Sequence, residues 1–246
     1  MKVEMGSKQL FWDKPQKVLV ILAHPDDPEF FCGGTIAKWV LSGHQVIYCL
    51  FTKGEKGINE HFIADVDVDI ISLRMQEQKR AAAILGVDQI YYFDYPDGYL
   101  TPSITLRRQV VTQIRKRQPD IVVGCDPTNY FMRDSYINHP DHRAAGQIVI
   151  DSVFPAAQNA AFFPDLGIKG FLPHKVKEVW LSLPHHANIS IDITDTWELK
   201  IKALHEHKSQ IGVEKEFDER MLSRRLVDST QENPRFEETF TRIIFH

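Results

Sequence analysis

Cysteine is scarce in this chain: Cys32, Cys49 and Cys125 are the only three in 246 residues. An odd, sparse count does not build a disulfide framework, so a reducing, cytoplasmic compartment is expected. Long apolar runs are missing too. Residues 18–23 form the longest near the N-terminus, far short of the roughly 20 residues that a membrane-spanning helix needs. Residues 1–17 hold no apolar stretch of the signal-peptide kind, so no membrane partner is expected. Asn188-Ile189-Ser190 fits a glycosylation sequon, which carries no meaning without export. Positive charge is not in excess. The formal net charge of -4 argues against a nucleic-acid partner, because phosphate backbones attract basic surfaces. The compact basic run Arg115-Lys116-Arg117 reads first as a solvated helix end. A Gly-x-Ser-x-Gly elbow, a Walker phosphate loop and a Gly-x-Gly-x-x-Gly fingerprint after the first strand are also missing.

What is present is an ordinary globular composition, 43% apolar and 25% charged, in a chain long enough for one large α/β domain spanning 1–246. Residues 17–23 are a short continuous apolar run, the pattern of a strand covered on both faces of a parallel sheet. Residues 34–41 follow with helical spacing, closed by Gly43. The alternation continues with strands at 46–51, 90–93 and 121–125 and helices at 72–85, 103–117 and 141–153, with Ser72 as a candidate cap. Two further strands at 178–183 and 189–193 and a helix over 194–211 complete the pattern, and the tail from 212 onward ends in an apolar Ile243-Ile244-Phe245. Such an order implies a three-layer Rossmann-like α/β fold with a mostly parallel central sheet. In such sheets ligands bind where the loops leave the carboxyl ends of the strands.

Two of those loops are rich in metal-binding side chains. The first, after the first strand, reads His24-Pro25-Asp26-Asp27-Pro28-Glu29; the second, after the fourth strand, ends in Asn138-His139-Pro140-Asp141-His142. A catalytic zinc site takes three protein ligands from imidazole and carboxylate groups and leaves one position open. One His and one Asp from the first loop plus one His from the second make that count. Singly, each of these residues reads as a cap or a surface group, and Asp26 or Asp27 alone would serve to cap the helix that follows. Two such loops on one sheet are much harder to explain by accident.

His24-Pro-Asp-Asp-Pro-Glu29 with Cys32-Gly-Gly-Thr-Ile-Ala37, and His139-Pro-Asp-His142 with Arg143-Ala-Ala-Gly146, resemble the two motifs of the LmbE/PIG-L family of zinc-dependent N-acetylglucosaminyl deacetylases. Thr52-Lys-Gly-Glu-Lys-Gly57, Arg74-xx-Glu77, residues 82–86 and Tyr95-Pro-Asp-Gly98 extend the resemblance over about residues 17–150. It implies a Zn2+ cofactor on His24, Asp27 and His142, with Asp26 as the base that deprotonates the attacking water. His139 would stabilise the tetrahedral intermediate or protonate the leaving amine, and Asp141 would orient an imidazole. The implied substrate is an N-acetylated amino sugar or related glycoconjugate. Another N-acyl or thiol-conjugate substrate, or a binding protein on the same fold, are the alternatives. Lys53, Asp97 and Arg133 are candidate substrate contacts, although Lys53 also suits a solvated turn and Asp97 a β-turn. Members of the family often form trimers or hexamers, so a homo-oligomer is an expectation.

Overall fold

The computed structural model describes residues 12–57, 69–132 and 136–245. Seven strands form one sheet in the order β3-β2-β1-β4-β7-β9-β8. They are β1 (Lys17–Leu22), β2 (Gln45–Thr52), β3 (Ile90–Tyr95), β4 (Ile121–Cys125), β7 (Glu178–Ser182), β8 (Ile189–Asp192) and β9 (Glu237–Ile244). Pairing is parallel from β3 through β7, and β9 runs antiparallel to both neighbours. A two-stranded hairpin, β5 (Phe131–Met132) with β6 (Tyr136–Ile137), stands apart.

Val18, Val20 and Leu22 of β1 face one core and Leu19 and Ile21 face the other, so the apolar run expected of a doubly covered strand is explained. Helices α1 (Asp27–Leu41), α2 (Ile70–Ile84) and α6 (Trp197–Leu204) cover the first face. Helices α3 (Ile104–Arg117) and α4 (Pro140–Asp151) cover the second. The three-layer, mostly parallel architecture is the one that the alternating pattern implies.

Several boundaries differ from the sequence reading for identifiable reasons. Helix α1 begins at Asp27, not at Gly34, and is interrupted at Cys32 (φ -147°, ψ 18°), so the expected helix is its second stretch. The restart is capped from far along the chain: Glu238 accepts from the N–H groups of Gly34 (3.0 Å) and Thr35 (2.8 Å). Lys200 neutralises that buried carboxylate at 2.6 Å and also donates to Phe30 O. The helix expected over 194–211 is broken into a 3-10 turn (Thr194–Thr196), α6 and a short α7 (Lys208–Ile211). Asp69, not Ser72, caps α2, accepting from the Ser72 N–H. Helices α5 (Pro164–Ile168) and α8 (Glu214–Leu222) complete the chain order.

Glycine matters where α4 meets β4. A Cβ on Gly146 would lie 2.3 Å from the carbonyl oxygen of Cys125. Gly146→Ala therefore forces α4 off β4 and lowers stability by about 1–3 kcal/mol, read from a urea midpoint; an unshifted midpoint would show that the contact has slack. Glu178 supplies a second test. It accepts from Trp12, Trp180 and both arms of Arg242 at 2.8–3.0 Å. Burial alone would raise its pKa, and the hydrogen bonds from Arg242, Trp12 and Trp180 outweigh that and hold it below the usual 4.5. A lowered carboxylate stabilises fully above its unfolded pKa and stops doing so as pH falls through the folded one. Glu178→Gln should be less stable at neutral pH and lose stability less steeply than wild type between about pH 5 and 3. Parallel acid limbs in the two proteins would contradict this.

Candidate metal centre

Strand order reverses between β1 and β4: β2 and β3 lie beyond β1, and β7 lies beyond β4. The loops after these two strands open side by side at this switch point, where α/β sheets collect ligands. They line a cleft of about 450 Å³ with His24, Asp26, Asp27, His139 and His142 on its floor.

Asp27 ties the two loops together. Its Oδ1 lies 3.1 Å from His142 Nε2 and its Oδ2 lies 3.5 Å from His24 Nδ1. Oδ2 also accepts from the backbone N–H groups of Ala23 and His24, which fixes the carboxylate at the end of β1. Burial would raise the Asp27 pKa, and the two imidazoles overcome that and drive it far below the usual range. Donor atoms of His24, His139 and His142 lie within 4.8 Å of one another, as do those of His24, Asp97 and Asp141.

His24 Nε2 faces two carboxylates, Asp97 Oδ1 at 3.1 Å and Asp141 Oδ2 at 3.3 Å. Burial disfavours its charged form, yet the Asp27 charge and the hydrogen bonds that His24 donates to Asp141, Asp27 and Asp97 together raise its pKa well above 6.5. Asp141 is held in turn by the N–H groups of Gly98 (2.7 Å) and Leu100 (3.1 Å). Asp97, a β-turn residue by sequence, is buried and accepts from Lys56 N. Burial opposes its ionisation, and the His24 interactions hold its pKa down to about 2. His139 Nδ1 accepts from the Asp141 N–H, so the neutral ring carries its proton on Nε2. Burial, followed by the nearby His24 and His142, lowers its pKa.

Asp26 sits in the left-handed region (φ 88°, ψ -29°), an uncommon conformation for a residue with a side chain. Arg74 and Gln78 of α2 hold it there. Arg74 Nη2 donates to Pro25 O (2.6 Å) and Asp26 Oδ2 (3.1 Å), and Nη1 donates to Gly54 O (2.7 Å). Gln78 Oε1 accepts from the Asp26 N–H at 2.7 Å. A Cβ on Gly54 would lie 2.2 Å from the guanidinium, so the glycine of the loop after β2 exists to admit Arg74. Desolvation raises the Asp26 pKa and the Arg74 charge works against it, with a net rise.

The expected residues thus meet at one place, with two exceptions. Lys53 turns to Asp94, 2.6 Å away, and the lysine on the cleft wall is Lys56. Arg133 lies outside the described residues. Sequence reading gave no role to Gln78, Asn138, Lys56 or Tyr136, all of which border the cleft or its floor. Only Asn138 had a local signal, standing four residues before His142 on the same helical start.

Carboxylates outnumber what the imidazoles can neutralise on this floor: Asp26, Asp27, Asp97 and Asp141 surround His24. The donor set fits a divalent cation. Such a floor, at the switch point of a parallel sheet, defines the class of metal-dependent α/β enzymes. The chain matches the model of the PIG-L family, GlcNAc-PI de-N-acetylase, over residues 19–153, and it belongs to that family. It is 38% identical over 195 residues to a diacetylchitobiose deacetylase of Thermococcus kodakarensis, covering 79% of this chain and 70% of that one. Among solved structures, an N,N'-diacetylchitobiose deacetylase from Pyrococcus horikoshii superposes with a TM-score of 0.81 and 31% identity, over 94% of this chain and 85% of that one. A 4-carboxy-2-hydroxymuconate hydratase from Pseudomonas putida shares the fold at a TM-score of 0.73 and 20% identity, covering 94% and 97% of the two chains. Among the described residues no helix is long and apolar enough to cross a membrane.

Arg74→Met leaves Pro25 O and the Asp26 carboxylate without the Arg74 donor, while Gly54 O keeps only the Gly57 N–H. A loss of about 1–3 kcal/mol is expected for leaving such groups unmet, with a fall in hydrolytic rate as Asp26 loosens. Thermal melting and turnover measured on one preparation check both, and a fully active, equally stable variant would refute the role.

Proposed function

We propose that the chain is a zinc-dependent hydrolase that removes the acetyl group from an N-acetylated amino sugar or a related glycoconjugate. The observation that carries it is Asp27 bridging His24 and His142 in a cleft that Asp26 and His139 also line. His24, Asp27 and His142 would hold the metal, two imidazoles and one carboxylate being a set that suits zinc. The hydratase on the same fold shows that architecture alone does not choose a reaction, so the reading rests on these residues. The substrate class follows from the sugar deacetylases to which the chain is similar.

Bound at this floor, zinc supplies Lewis acidity that polarises an amide carbonyl and makes a water more acidic. Asp26 takes the proton from the attacking water, its carboxylate aimed by Arg74 and its backbone by Gln78. His139 offers Nε2–H to the oxygen that gains charge, because the Asp141 N–H occupies Nδ1. Asp141 keeps His24 oriented through Nε2. Asp97 presents carboxylate lone pairs at the cleft wall to a sugar hydroxyl.

Purified protein should contain zinc and release acetate from N,N'-diacetylchitobiose or N-acetylglucosamine. Asp26→Asn should keep the metal and lose about 10²–10⁴-fold in kcat. Loss of zinc together with activity would mean that the ligand and base roles are wrongly divided. Zinc-replete wild type that is inert on a broad panel of N-acetyl sugars would favour a binding protein.

A further inference from the structure

Beneath the cleft, His142 Nδ1 lies 3.0 Å from a terminal atom of the Asn138 amide. Asn138 is fully buried. Taken alone, the pair says nothing about protons, because an amide has a donor and an acceptor end of similar shape and an imidazole has two neutral tautomers. The neighbour on the far side decides both. The other end of the Asn138 amide lies 2.8 Å from the backbone carbonyl oxygen of Asn129. A carbonyl oxygen only accepts, so the atom facing it is Nδ2. The atom facing His142 is then Oδ1, which also only accepts. His142 Nδ1 must therefore carry a proton, and without a metal Nε2 carries one too because it faces a carboxylate acceptor, so a metal would replace the proton on Nε2 alone. That is the nitrogen 3.1 Å from Asp27 Oδ1.

We propose that Asn138 is a positioning residue that holds the Nδ1 proton of His142 and so reserves Nε2 for the metal, with the Asn129 carbonyl setting the lock. The inference rests on the reading of His142 as a metal ligand. The Asn129 carbonyl is a firm reference point. The Asn129 side chain donates to Leu183 O (2.9 Å), just after β7, and the Asn138 N–H donates to Tyr130 O (2.9 Å). The lock is thus anchored to the loop after β7 as well as to the start of α4.

The choice of a neutral amide has an electrostatic reason. His24 is oriented by carboxylates, Asp97 and Asp141, and Asp26 and Asp27 already add their charges to the floor. A carboxylate at position 138 would bring a fifth negative charge against Asp27, whereas an amide fixes the ring and adds none. Histidine ligands in metal sites commonly donate their second nitrogen to such a partner, and removing the partner typically costs about 10–100-fold in metal affinity.

The test uses the whole chain labelled with ¹⁵N-histidine and stripped of metal. Two-bond ¹H–¹⁵N spectra should show Nδ1 of the wild-type His142 protonated. Asn138→Leu, similar in size, should release the Nδ1 proton in favour of the Nε2–H form that faces Asp27, and bind zinc about 10–100-fold more weakly against a chelating dye. Finding the Nε2–H tautomer in wild-type apoprotein overturns the proposal even if no variant folds. So does Asn138→Leu with an unchanged tautomer and unchanged zinc affinity. His142→Ala separates the two readings: undiminished zinc binding there would remove His142 from the ligand set, while the tautomer spectra still decide what Asn138 does.

Discussion

The hydrogen-bonded pairing of β1 with β4 is the constraint on which the cleft depends. Because the chain leaves these neighbours for opposite flanks of the sheet, the loops that follow have nothing between them. Strands buried on both faces lack the inside–outside alternation that usually fixes register. Here the ends fix it. Asp120 accepts from Lys17 N through its side chain and donates its own N–H to Lys17 O, pinning the starts of β1 and β4 together. At the other end of β1, Ala23 O accepts from Thr52 N and Oγ1, tying in β2. A slip of one residue along β1 would carry His24 and Asp27 about 3.3 Å from the second loop, as far as the hydrogen bonds that now join them.

The cleft follows a consistent electrostatic plan. Its floor concentrates carboxylates and imidazoles whose proton affinities are pulled in opposite directions, as clefts built for acid–base chemistry commonly are. Around that floor the orienting groups divide by charge. Arg74 meets the one carboxylate left free to act, and the neutral amides of Gln78 and Asn138 handle the backbone of Asp26 and the ring of His142. Glu29, fully buried, is held by Gln78 Nε2, which reaches both of its carboxylate oxygens, and by His207. A buried charge is tolerable when it is met on each side in this way.

Much of this was legible in the sequence, and the exceptions have physical causes. Apolar runs at β1, β2 and β4 and the glycine-closed helices gave the parallel core, because a doubly covered strand has no other composition open to it. The two His/Asp loops stood out because imidazoles and carboxylates are dense there. What pattern could not give was anything set by residues distant in sequence. The first stretch of α1 escapes the pattern because Asp27, Pro28 and Glu29 read as loop residues, and the cap of its second stretch comes from Glu238, some two hundred residues on. Strand β9 looked like a tail with an apolar end, since a strand between two others announces itself only through its partners. Gln78 and Asn138 are ordinary polar residues until the fold places Asp26 and His142 against them.

Strand β9 carries a temporal consequence for a growing polypeptide. A nascent chain that has emerged through α4 already contains His24, Asp27, His139 and His142, with the strands that position their loops. Even after β7 and Lys200 have followed, the chain lacks the carboxylate of Glu238, so Gly34 and Thr35 have bare amides, Lys200 has not met its counter-ion, and the edge of β7 is open until residues 237–244 leave the ribosome. An unpaired parallel-sheet edge with apolar Val179 and Leu181 beside it is a template for mispairing. The order of synthesis therefore leaves the chemical half of the molecule waiting on its last strand, and chaperone dependence would concentrate in that interval.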